Sequence, residues 1–109
     1  MNNKNDWASF INDVSPSECK KSMQKLWDML LTHREDMPIP TTCGGYEDAG
    51  TGCQFIWDGG EHHLEIEITD DNELEWFYMN RKNEKDIAGR DGEKLGVSEE
   101  LGGYIGRIV

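Results

Sequence analysis

Between Cys53 and Arg81 the chain alternates large apolar with polar residues in three successive runs, GCQFIWD, HHLEIEIT and ELEWFYMNR. Period-two alternation of this length is the signature of a half-buried strand. One set of positions collects Phe55, Trp57, Leu64, Ile66, Ile68, Leu74, Trp76 and Tyr78, and the other collects Glu65, Glu67, Glu73 and Glu75. The pattern predicts an antiparallel sheet with a core on one side and an acidic surface on the other.

The turns between the runs predict a register. Asp58-Gly59-Gly60-Glu61 reads as a two-residue hairpin turn, since glycine adopts positive φ without steric cost. That places Trp57 opposite His62, Phe55 opposite Leu64 and Cys53 opposite Ile66. A three-residue loop at Asp70-Asp71-Asn72 pairs Ile68 with Leu74, Ile66 with Trp76 and Leu64 with Tyr78, and so sets Glu67 against Glu75. A further hairpin around Lys82-Asn83 brings Ile87 beside Tyr78 in a fourth strand that runs out at Gly89 or at Asp91-Gly92.

The N-terminal third changes period. Trp7, Phe10, Ile11 and Val14 recur at helical spacing until Ser15-Pro16 interrupts them. Ser15 as N-cap, Pro16 in the first turn and Glu18 three residues on predict a second helix ending near Arg34. Its apolar stripe is Cys19, Met23, Leu26, Trp27, Leu30 and Leu31, a face for packing on the sheet. Residues 36–51 hold prolines and glycines without periodicity and read as a long connection in which Tyr46 is the residue of interest. At the end of the chain Leu101, Tyr104, Ile105 and Ile108 follow Ser98 at helical spacing, interrupted by Gly102, Gly103 and Gly106. A short helix over 97–109 therefore forms only if packed, with the glycines permitting close approach to the sheet or to a second copy.

These elements define an α+β chain: N-terminal helices on one face of a four-stranded antiparallel meander, then a short C-terminal helix. The 109 residues suit a single domain, with 1–35 helical, 36–51 connecting, 52–90 forming the sheet and 97–109 the last helix. Charged residues make up 30% and apolar ones 36%, but four Trp, three Tyr and three Phe supply core volume, so the chain is expected to fold. No apolar run reaches the length of a membrane span, and MNNKNDWASF lacks the apolar segment of a secretory leader, which predicts a cytoplasmic protein; a phage or plasmid origin would look the same. Cys19, Cys43 and Cys53 are odd in number and irregularly spaced, as expected of reduced thiols.

Twenty-two acidic against eleven basic residues leave a formal charge of −11. Such a charge repels nucleic-acid phosphates and anionic lipid and attracts basic protein surfaces. Direct nucleic-acid or membrane binding is excluded on that ground. The candidate partner-binding residues are Glu65, Glu67, Glu73 and Glu75, with Ile56, Phe77, Met79 and His63 beside them on the same face. A directly opposed pair of glutamates costs up to about 1 kcal/mol, which cationic side chains of a partner relieve. The neutral explanation of the same face is solvation alone.

Other chemistry is weakly signalled. His62 and His63 are adjacent in a strand and project to opposite faces, His62 near Trp57 and His63 beside Ile56 and Met79. A zinc site drawn from Cys43, Cys53 and His63 lacks the paired spacing of zinc ligands, so no metal or other cofactor is expected. The glycines form neither a dinucleotide fingerprint nor a phosphate loop. No pairing suggests a shielded nucleophile or acid and base, and a non-catalytic protein is expected.

Trp57-Asp58-Gly59-Gly60, then Leu64-Glu65-Ile66-Glu67-Ile68, then Glu75-Trp76-Phe77-Tyr78 resembles a pattern in small bacterial proteins: a W-x-G-G hairpin, an L-E-I-E-I strand and an aromatic strand ending in arginine. The resemblance spans about residues 53–90 and implies a scaffold; those proteins have no assigned activity or site residues to transfer. In size and charge the chain is also similar to immunity proteins, antitoxins and phage-encoded inhibitors of nucleases. The functional expectation is an acidic module that binds a basic protein surface, its carboxylates standing in for phosphates. The alternatives are a homodimer formed through the glycine-rich last helix or an exposed sheet edge, and a small zinc-dependent enzyme.

Overall fold

The computed structural model describes residues 17–45 and 52–109. The expected first helix at Trp7–Val14, the Ser15-Pro16 cap and Tyr46 lie outside the described residues, as do the side chains of Cys19 and Cys43. In chain order the elements are α1 (Ser17–His33), β1 (Thr42–Gly45), β2 (Cys53–Gly59), β3 (His62–Ile68), β4 (Leu74–Asn80), β5 (Asn83–Glu93) and α2 (Glu99–Ile108). The fold is α+β, and its strands pair antiparallel in sequence order, β1-β2-β3-β4-β5.

Among the described residues the sheet has five strands where the apolar pattern predicts four. Thr42–Gly45 pairs with Cys53–Ile56. Four residues including two glycines carry no readable alternation, and the strand exists because β2 offers it a hydrogen-bonding edge. The connection is also more deeply packed than its composition suggests. Met37 is fully buried, and Trp57 Nε1 donates to the Pro38 carbonyl at 3.0 Å, which fastens this strap to β2.

Alternation works as expected in β2, β3 and β4. Phe55, Trp57, Leu64, Ile66, Ile68, Leu74, Trp76 and Tyr78 are buried on one face, together with Met23, Leu26, Trp27 and Leu30 of α1 and Leu101 and Ile105 of α2. Trp27 meets Phe55 with ring centroids 6.5 Å apart, and Tyr104 of α2 stacks on Tyr78 at 4.5 Å. Two amphipathic helices thus share one apolar sheet face. Ser98 caps α2 by accepting from Leu101 N at 3.1 Å. Gly102 lies close to α1: a Cβ there would come within 2.9 Å of the His33 ring, which would have to shift.

The register matches the expectation between β3 and β4 and departs from it on either side. Ile68 faces Leu74, Ile66 faces Trp76, Leu64 faces Tyr78 and Glu67 faces Glu75. Asn72 sustains the intervening turn at φ 63°. In the first hairpin the loop is Gly60-Glu61, with Gly60 at φ 58°, so Trp57 faces Leu64, Phe55 faces Ile66 and Cys53 faces Ile68. This is two residues from the expected register, and an even shift leaves every side chain on its face. In the last hairpin Arg81-Lys82 is the loop, and irregular pairing beyond it sets Ile87 opposite Met79 and Ala88 opposite Tyr78. Ile87 therefore leaves the core for the outer face, where it is 51% exposed. Strand β5 also continues past Gly89 to Glu93, through a bulge at Gly92 with φ 63°.

Candidate functional site

The outer face is built from three cross-strand rows. Gln54, Glu67 and Glu75 form one; Ile56, Glu65, Phe77 and Gly89 form the next; Asp58, His63, Met79 and Ile87 form the third. Each row follows from strand parity, because these residues alternate with the buried ones. Ile56, Glu65, Glu67, Glu75, Phe77, Met79 and His63 are all half-buried on this surface. Glu73 is the exception. It precedes β4 in the turn, where its carbonyl accepts from Thr69 N at 2.9 Å, and its exposed side chain does not join the other glutamates.

Glu65, Glu67, Glu75, Trp76, Phe77, Gly89, Arg90 and Asp91 line a hollow of about 370 Å³. The hollow exists because Gly89 has no side chain where the row would otherwise continue; a Cβ at that position would lie 3.5 Å from the Phe77 ring and 3.2 Å from the Trp76 carbonyl oxygen. A missing side chain on β5 thus makes this part of the acidic face concave. Within the hollow the Glu67 carboxyl is pushed up to about 7, first by burial, then by its hydrogen bond with Glu75 and by the Glu75 charge. Desolvation and a like charge both disfavour ionisation.

His63 occupies the other end of the face. Its Nε2 lies 2.7 Å from Glu65 Oε2, and Glu65 Oε1 accepts from Gln54 Nε2 at 3.2 Å. His63 Nδ1 stands 3.4 Å from Asp58 Oδ1 without forming a hydrogen bond. Asp58 is paired with Arg81, whose guanidinium, followed by His63, holds the Asp58 carboxyl below its usual range. The two-residue register shift explains why His63 meets Asp58 where Ile56 was expected. Its pairing with Glu65 was legible in the H-x-E spacing, which puts both residues on one strand face two positions apart.

His62 faces the other way, as adjacent strand residues must. Its Nδ1 is 2.6 Å from the Tyr78 hydroxyl, which also accepts from Arg107 of α2 at 3.3 Å. Arg107 in turn donates to Asp86 at 2.7 Å and lies over the Tyr78 and Tyr104 rings. This cluster ties α2 to the sheet. Cys53 is buried in the core and His63 is on the opposite face, so these two members of the drawn zinc set do not converge. Among the described residues no group of three or more His, Cys, Asp and Glu is placed to hold a metal ion, and no helix is long and apolar enough to cross a membrane.

No protein-family model, curated protein or solved structure matches this chain.

Proposed function

We propose that the chain is a non-catalytic acidic interaction module that binds a basic protein surface, with the hollow between Glu65, Glu67 and Glu75 receiving a lysine or arginine side chain. The supporting observation is convergence: three glutamates from two strands, with Asp91 of β5, surround a concavity that also presents Phe77, and the one basic residue of its lining, Arg90, is paired with Glu100. Carboxylates around an aromatic group suit a cationic side chain, which gains ion pairs and a cation–π contact together. Ile56, Met79 and Ile87 flank the hollow as apolar contact points of the kind that anchor an interface.

The elevated Glu67 carboxyl gives the interaction a direction. In the free protein part of the population holds a proton there at neutral pH, and an arriving cation displaces it. The same carboxylates stand in for nucleic-acid phosphates on a basic protein, so the module acts as an inhibitor of the immunity or antitoxin type. The test is capture of basic proteins by the immobilised chain, with nucleic acid as competitor and increasing salt. Binding is expected to fall with salt, to be competed by nucleic acid, and to disappear in a Glu67→Lys and Glu75→Lys double variant that remains folded. Equal capture by the wild type and the double variant overturns the proposal.

A further inference from the structure

We propose that β5 is a self-recognition edge: two copies of the chain join their sheets by antiparallel β5–β5 pairing about a two-fold axis at Ala88. Among the described residues β5 is the terminal strand of the sheet and, at 11 residues, its longest. One edge of β5 pairs with β4, and among the described residues no strand pairs with the other; there Gly89 O accepts from Arg90 Nη1 at 2.7 Å and Lys85 N donates to Asn83 Oδ1 at 3.2 Å, local bonds that a second strand would exchange for cross-strand ones. Around its centre Lys85, Ile87, Gly89, Arg90 and Asp91 are all exposed.

Natural edges are commonly blocked by charge, and β5 is charged, so the arrangement of signs decides whether the edge repels or recognises its own copy. With a two-fold axis perpendicular to the sheet, paired residues must share a face, and the axis must pass through a residue. An axis at Ala88 sets Asp86 opposite Arg90 of the second copy and Lys85 opposite Asp91, each repeated by symmetry. Ile87 then lies over Gly89 of the second copy, a large side chain against a vacant position. Moving the axis to Ile87 leaves only Glu84 with Arg90 as an opposite-charge pair inside the strand, and moving it to Gly89 leaves only Lys85 with Glu93. The sequence EKDIAGRD is therefore self-complementary in one register. Residues 87–90, which flank that axis, are also the part of β5 that pairs regularly with β4.

Lys85 and Asp91 take part in none of the intramolecular ion pairs among the described residues, whereas Asp86 is bound to Arg107 and Arg90 to Glu100. The first two are the positions to test. The net charge of −11 repels a second copy at long range. At physiological salt screening confines that repulsion to within about 8 Å, where the cross-strand pairs act.

The experiment is sedimentation equilibrium of the full chain over a wide concentration range at physiological salt. The wild type is expected to dimerise. Lys85→Asp alone or Asp91→Lys alone opposes like charges twice per dimer and weakens association about tenfold or more. The exchange variant carrying both substitutions has the wild-type composition and restores it. Circular dichroism checks that each variant is folded, and binding of a basic protein at the Glu67 hollow is read separately on Lys85→Asp alone, since Asp91 also lines that hollow. A wild type that stays monomeric, a dimer indifferent to the single reversals, or an exchange variant that fails to recover each overturns the proposal.

Discussion

Glu67 and Glu75 face each other directly across β3 and β4, and burial together with the Glu75 side chain raises the Glu67 carboxyl to about 7. In the unfolded chain Glu67 titrates near 4.5. Between these values the folded state binds the more proton, so this group's contribution to stability falls as pH rises from roughly 5 to 7 and is level above that. Glu67→Gln removes the decline. With allowance for solvent screening, the variant gains about 1 kcal/mol over the wild type above pH 7 and little below pH 5. Urea unfolding at pH 5 and pH 8 checks both statements.

Tyr78 is fully buried, and its hydroxyl bridges His62 and Arg107. Tyr78→Phe keeps the ring that stacks on Tyr104 but leaves both polar partners short of a hydrogen bond. His62 is half-buried and Arg107 exposed, so water replaces part of what is lost, and the expected loss is about 0.5–1.5 kcal/mol, the net worth of a hydrogen bond. Arg107 retains Asp86, so α2 is loosened and not released. Chemical denaturation gives the loss, and faster amide exchange in α2 than in β3 locates it.

Gly103 is exposed within α2, and a Cβ there meets nothing within 4 Å. Gly103→Ala is expected to stabilise the protein by about 0.5–1 kcal/mol through helix propensity and a less disordered unfolded chain. Gly102→Ala, which drives a methyl group against His33, is expected to gain less or to lose stability. The difference in thermal midpoint between the two variants separates a propensity glycine from a packing glycine.

The parity of Glu67 and Glu75 was readable because the loop between β3 and β4 has one compact solution, in which Asn72 takes the left-handed position. The first hairpin contains two adjacent glycines, and either can supply the positive φ; the protein uses Gly60, which displaces the register by two and exchanges the neighbours of His63 while preserving the faces. β1 was hidden because Thr42–Gly45 is a strand only in the presence of β2. Ile87 was misplaced because irregular pairing after Asn80 changes the parity of β5, which no local pattern announces. The hollow depends on that same strand. It is created by the absence of a side chain at Gly89, whose row position follows only once the β4–β5 register is known.

The most direct measurement is a carbon-detected NMR titration of the glutamate side chains, with and without an arginine-rich peptide as a basic surface. In the free protein Glu67 is expected to titrate near 7. With the peptide bound its midpoint falls toward the ordinary carboxylate range, because a guanidinium between Glu67 and Glu75 favours the ionised form. A Glu67 carboxyl that titrates at its ordinary value in the free protein, or one whose midpoint the peptide leaves unmoved, contradicts the account.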